Sequence, residues 1–175
     1  YWRFIRKHVE AITRTGWLLS QGKHRPDVLV LHPQASMQAT YRHFRNRAEY
    51  KAENYLYDAD MPYELIDKHI TLLSVALLDA QIDFDFGDEE LLAKYGSVDE
   101  SRLRIGDMGY RIVVMPPLVN IRSSTLELLR SFAAAGGTIF LVGSMPYLVD
   151  GKPSEDARWF LSEYAQRVDG SDRFD

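Results

Sequence analysis

Arg111-Ile-Val-Val-Met-Pro-Pro-Leu-Val-Asn-Ile-Arg-Ser-Ser-Thr125 decides how the chain is read. Its first half is a continuous apolar run of the kind that suits a strand covered on both faces, as in a parallel sheet. Its second half turns into a helical pattern, with Ser124 placed to cap and Glu127 three residues on, the spacing of a capping box. Leu126, Leu129, Phe132 and Ala133 give that helix its buried face, and Gly136-Gly137 ends it. Many α/β enzymes place a nucleophile or a phosphate cradle at such a strand-to-helix junction. Here the junction holds Pro116 and Pro117, with no Cys, no G-x-S-x-G elbow and no glycine-rich loop.

Working outward, the same strand-and-helix alternation repeats. Residues 2–20 carry Phe4, Ile5, Val9 and Ile12 at helical spacing, with Trp17, Leu18 and Leu19 following less regularly. The run from Asp27 to His32 is a second continuous apolar strand, closed by Pro33. Residues 37–60 mix tyrosines and cations and read as a helix start followed by an inserted loop. Pro62 then suits the first turn of a helix whose apolar stripe (Ile66, Ile70, Leu73, Leu77, widened by Leu72, Val75, Ala76 and Leu78) predicts deep burial. Gln81–Phe86 alternates as a strand, with Ile82, Phe84 and Phe86 on one face and Asp83 and Asp85 on the other. Residues 88–95 read as a short helix, 103–110 as a hairpin, 138–142 as a fourth buried strand and 156–165 as a last helix, before an end read as frayed at 169–175. Four strands alternating with helices over short connections predict a doubly wound, mostly parallel α/β sheet with an N-terminal helix.

Composition narrows the function. The chain has 175 residues, 21 basic against 25 acidic, for a formal net charge of −4. That balance lacks the basic excess of a nucleic-acid binder. There is no cysteine, which removes disulfides, thiolate metal sites and cysteine nucleophiles. No apolar run approaches the ~20 residues of a membrane span. The opening Tyr1-Trp-Arg-Phe, without an initiator Met or signal-peptide core, is read as the start of an excised part of a longer protein.

Ligands of doubly wound sheets sit beyond the carboxyl ends of the strands, so the candidate residues are sought there. His32 follows the first strand, the acids Asp83, Asp85, Asp88, Glu89 and Glu90 surround the end of the second, and Ser144 follows the fourth. Oxygen-rich clusters suit Mg²⁺ or Ca²⁺, but this spacing fits no compact calcium loop, and neither metal nor cofactor is expected. Tyr55 belongs to an aromatic insert at 41–57 able to stack on apolar sugar faces. Ligand binding is therefore expected, if anywhere, at His32, Asp85, Ser144 and Tyr55, with no catalytic residue assigned.

Several phrases in order add a resemblance: Leu18-Leu-Ser-Gln-Gly22, Asp27-Val-Leu-Val-Leu-His-Pro33, Ile82-Asp-Phe-Asp-Phe86, Tyr110 to Pro117, and Thr125-Leu-Glu-Leu-Leu to Ala135-Gly-Gly-Thr-Ile139. Together they resemble the region behind the catalytic barrel in bacterial α-L-rhamnosidase-like glycoside hydrolases of family 106. A looser likeness is to the middle domain of family 42 β-galactosidases. The resemblance implies a flavodoxin-like, class I glutamine amidotransferase-like three-layer sandwich without the nucleophile. It implies that residues 1–22 are the last helix of a truncated (β/α)8 barrel and 26–175 the amidotransferase-like domain, with an insert near 41–60. It further implies a bacterial accessory domain whose partner is that barrel and which takes no part in catalysis; the compartment is left open, export with the parent enzyme being one of the alternatives. A second copy pairing through the helix at 2–19, a carbohydrate-binding module built on the insert, and a free-standing hydrolase using His32, Asp85 and Ser144 are the competing expectations.

Overall fold

A computed structural model of the protein describes residues 2–40 and 62–168. The insert at 41–57 and the end at 169–175, both singled out in the sequence, lie outside the described residues.

The central feature is a five-stranded sheet of β1 (Val28–Leu31), β2 (Phe84–Gly87), β6 (Ile112–Met115), β8 (Thr138–Val142) and β11 (Ala165–Val168). Its spatial order is β11-β8-β6-β1-β2, and every neighbouring pair is parallel. Numbered along the chain, that is 2-1-3-4-5. Leu29, for example, lies between Asp85 of β2 and Val113 of β6. The apolar runs exist because both faces are covered, and alternation along each strand sends successive side chains to opposite cores. Leu29, Leu31, Val113, Met115, Ile139 and Leu141 enter the larger core. They meet Leu92 of helix α4 (Glu89–Tyr95), Leu126, Leu129 and Phe132 of α5 (Ser123–Ala134), and Phe160 of α6 (Asp156–Tyr164). On the other face Val28, Val30, Val114 and Val142 meet Leu73 of α3 (Pro62–Asp79).

Two small sheets flank the main one. β3 (Gly96–Asp99), β4 (Arg102–Ile105) and β5 (Met108–Tyr110) form an antiparallel meander. Gly106, at φ 58°, makes the β4–β5 turn, a conformation glycine adopts without penalty. β7 (Asn120–Ile121), β9 (Leu148–Val149) and β10 (Lys152–Pro153) form the second. Its strands belong to the connections that leave β6 and β8.

Helix α1 (Trp2–Ser20) contributes no buried residue. Trp2, Phe4, Val9, Ile12, Trp17, Leu18 and Leu19 are all more than half exposed. Helix α3 departs from its sequence reading. It buries Ile66 and Leu73, but Val75 is 48% and Leu78 65% exposed. A single sheet face accepts one stripe of a helix, and the apolar residues outside that stripe turn away from it. The second strand also starts later than its alternation suggested, because Ile82 is still tied to α3 through its amide to Leu77 O (2.9 Å) and Gln81 makes the turn at φ 57°.

Candidate functional site

At the carboxyl end of the sheet, β1 and β6 are the neighbours whose following connections diverge, so the crevice between them is where this architecture usually receives a ligand. Here the chain fills it. Pro33, Pro116, Pro117 and Leu118 are buried, and Ser36, in the first turn of α2 (Gln34–Thr40), is fully buried. The Ser36 hydroxyl donates to Asn120 O (2.9 Å) and accepts from the amides of Val119 and Asn120 (both 3.0 Å). The loop after β8 closes over the same place. Gly143, at φ 80°, lies so near the proline that a Cβ there would stand 2.8 Å from Pro117 Cγ.

An oxyanion or phosphate cradle needs unclaimed amides at this turn. Proline supplies none at 116 and 117. Five of the amides that follow are taken: Leu118 donates to Ser144 O (3.4 Å), Val119 and Asn120 to Ser36, Arg122 to Glu89 Oε2 (2.8 Å) and Ser123 to Asp150 Oδ1 (3.1 Å). A nucleophile elbow also requires a strained turn, and the positive-φ residues other than glycine are Gln81, Glu100 and Asp150, all elsewhere in the described chain. The turn is chemically closed.

Glu89 and Asp150 explain why the Ser124 capping box does not form. Helix α5 begins at Ser123 with Arg122 as its N-cap, and the Arg122 side chain makes no capping bond. The two carboxylates, from α4 and from the β9–β10 turn, satisfy the first amides in place of a local hydroxyl and oppose the positive end of the helix. Burial pushes the Glu89 carboxyl above its ordinary value, against the opposing pull of the Arg122 amide. Thr125, buried beside it, acts in the same direction as that amide, yet its Oγ1 has no partner in full hydrogen-bond geometry among the described residues. Asp150, exposed, is held below the usual carboxylate range first by Ser123.

The four candidate ligand residues are dispersed. The half-buried His32 ring stands edge-on to Phe86 at 5.8 Å, and its amide donates to Gly87 O (2.9 Å). Phe84 and Phe86 pack on one side of β2 at 5.4 Å, so Asp85 faces the other way. There Asp85 Oδ2 accepts from the Tyr110 hydroxyl (2.8 Å), and Oδ1 lies 3.3 Å from His24 Nε2. Burial, then the Asp85 carboxylate, pushes the Tyr110 phenol well above its ordinary value. Ser144 is exposed and engaged through its carbonyl. Tyr55 lies outside the described residues. No hydrogen bond or ion pair joins any two of His32, Asp85 and Ser144 among the described residues. The acids around β2 disperse as well: Asp88 caps α4 through the amides of Glu90 (2.8 Å) and Leu91 (3.1 Å), while Glu90 pairs with Arg122 (2.7 Å). Among the described residues no three His, Cys, Asp or Glu side chains are grouped to hold a metal ion, and no helix is long and apolar enough to cross a membrane.

An open concavity lies at the opposite end of the sheet. A cleft of about 740 Å3 lies at the amino ends of β1 and β6, between the connector carrying Lys23, His24, Arg25 and Asp27 and the β4–β5 hairpin. Arg102, Arg104 and Arg111 complete its wall. Asp27 Oδ1 accepts from Arg102 Nη1 (3.1 Å) and lies 3.5 Å from Arg111 Nε, and Arg102 Nη1 also donates to Gly109 O (2.9 Å). Sequence reading missed this place because it looked only beyond the carboxyl ends; the signal available was the run Lys23-His-Arg25 beside alternating arginines at 102 and 104. No protein-family model, no curated protein and no solved structure matches the chain.

Proposed function

We propose that this chain is a non-catalytic accessory domain of a larger glycoside hydrolase, its sheet serving as scaffold and α1 as the surface that packs on the catalytic barrel. The observation that carries the reading is the closed turn after β6, where an amidotransferase-like relative would need a nucleophile and free amides. Pro116 and Pro117 stand there, and the amides of Leu118, Val119 and Asn120 that follow are bound within the chain. The strand order 2-1-3-4-5 and the helices on both faces support a flavodoxin-like, amidotransferase-like class. The exposed apolar face of α1 supports a helix whose packing partner is another polypeptide surface.

The test has two parts. The purified chain is assayed against aryl α-L-rhamnosides and aryl β-galactosides, where no turnover is expected. Turnover that a substitution within this chain abolishes would overturn the reading. The double substitution Val9→Asp with Ile12→Asp is then introduced into the protein carrying both barrel and domain. Loss of barrel–domain association, with the sheet domain's own melting temperature unchanged, is the expected result. Association indifferent to the substitution removes α1 from the role. Concentration-dependent self-association abolished by the same variant would assign the face to a second copy instead.

A further inference from the structure

We propose that the cleft at the amino ends of β1 and β6 binds a small polyanion, a molecule carrying two or more phosphate or carboxylate groups. The inference stands apart from the accessory-domain reading, because it rests on a different end of the sheet. The chain is acidic overall, at −4, yet this cleft gathers Lys23, Arg25, Arg102, Arg104 and Arg111 against Asp27 and Asp107 in its lining and Asp99 paired to Arg104 beside it. The cations come from two segments 75 residues apart that the fold joins through Arg102 and Asp27.

Three of the four arginines, Arg102, Arg104 and Arg111, have partners within the chain before any ligand arrives. Asp27 and Gly109 O fix the Arg102 guanidinium, Asp27 also lies against Arg111, and Asp99 takes Arg104 Nε at 2.8 Å. Each planar guanidinium has five donors and spends one or two of them here, so further N–H groups remain for an anion. Lys23 and Arg25 make no ion pair among the described residues and supply uncompensated charge. Arginine forks fit phosphate and carboxylate oxygens in pairs. The volume, about 740 Å3, falls within the roughly 300–1,000 Å3 of small-molecule pockets. A nucleic-acid strand would call for a longer basic face and a basic chain.

Isothermal titration of the whole chain with inorganic pyrophosphate and with citrate, at matched ionic strength, tests the site. Saturable binding at one equivalent, with a Kd at or below about 1 mM, is expected for at least one probe. Tighter pyrophosphate assigns a phosphate-bearing ligand, and tighter citrate a polycarboxylate. The double variant Lys23→Gln with Arg25→Gln, whose side chains are exposed, should bind roughly tenfold more weakly with an unchanged melting temperature. Arg104→Gln gives an independent second variant on the opposite wall. Absence of saturable binding to both probes, or binding that neither variant weakens, overturns the proposal.

Discussion

Ser36→Ala is the sharpest perturbation of the closed turn. Ser36 is 0% exposed, and its hydroxyl serves the Val119 amide, the Asn120 amide and the Asn120 carbonyl, at 2.9 to 3.0 Å. Alanine fits the space but removes all three bonds. A buried polar group left unsatisfied costs about 1–3 kcal/mol. Asn120 is buried and Val119 half-buried, so the Asn120 groups bear most of the loss and the total should be about 2–4 kcal/mol. That is a large share of the roughly 5–15 kcal/mol by which a domain is stable. Equilibrium unfolding in urea reads it directly: with a slope of about 2 kcal/mol/M, the midpoint should fall by roughly 1–2 M at unchanged slope. Ser131→Ala is the matched control, since Ser131 is exposed and its hydroxyl bonds only to Glu127 O in its own helix; it should stay within about 0.5 kcal/mol. Equal midpoints for Ser36→Ala and Ser131→Ala would refute the claim that Ser36 closes the crevice.

Other substitutions probe separate parts of the account. Glu89 has a folded-state value above its ordinary 4.5, so its contribution is complete below pH 4.5 and declines as pH rises through the raised value. Chemical denaturation of the native chain and Glu89→Gln across that window should show the native chain losing ground with rising pH; parallel curves would contradict the assignment. Gly137→Ala places a Cβ 2.2 Å from the Phe132 ring, which is fully buried, and overpacking of this kind costs about 1–3 kcal/mol. Calorimetry should show a melting temperature lower by several degrees, and Gly151→Ala is no substitute control because its φ of 75° adds backbone strain. Tyr110→Phe removes the hydroxyl from Asp85, which keeps His24 and is only partly buried; the expected loss is about 1 kcal/mol, and a loss above about 3 kcal/mol would mean that Asp85 has no other outlet to solvent.

The architecture was legible where burial is two-sided. β1, β6 and β8 declare themselves as unbroken apolar runs, and β2 as an alternation ending in Phe84 and Phe86. The fifth strand was not legible: Ala165-Gln-Arg-Val168 is an edge strand with three exposed residues, so nothing in its pattern separates it from the end of the helix before it. The two-residue strands β7, β9 and β10 are too short to leave a period at all. Glu89 read only as one of the acids around the end of the second strand, because its part in satisfying the first amides of α5 from another helix depends on a contact 33 residues away. Likewise Asp85 was picked out as a strand-end acid, but its partners Tyr110 and His24 come from segments whose approach only the fold decides. Local propensity reaches neighbours in sequence, whereas these pairs are made by packing.

A domain that serves a larger carbohydrate-active enzyme, as proposed, is carried on a polypeptide far longer than 175 residues, and the size of that native polypeptide is the deciding measurement. Source-cell lysate is immunoblotted with antibody raised against the chain. The expected result is a band several times the 20.2 kDa of this sequence, with glycosidase activity in the same immunoprecipitate. A band at about 20.2 kDa and no larger species would contradict it.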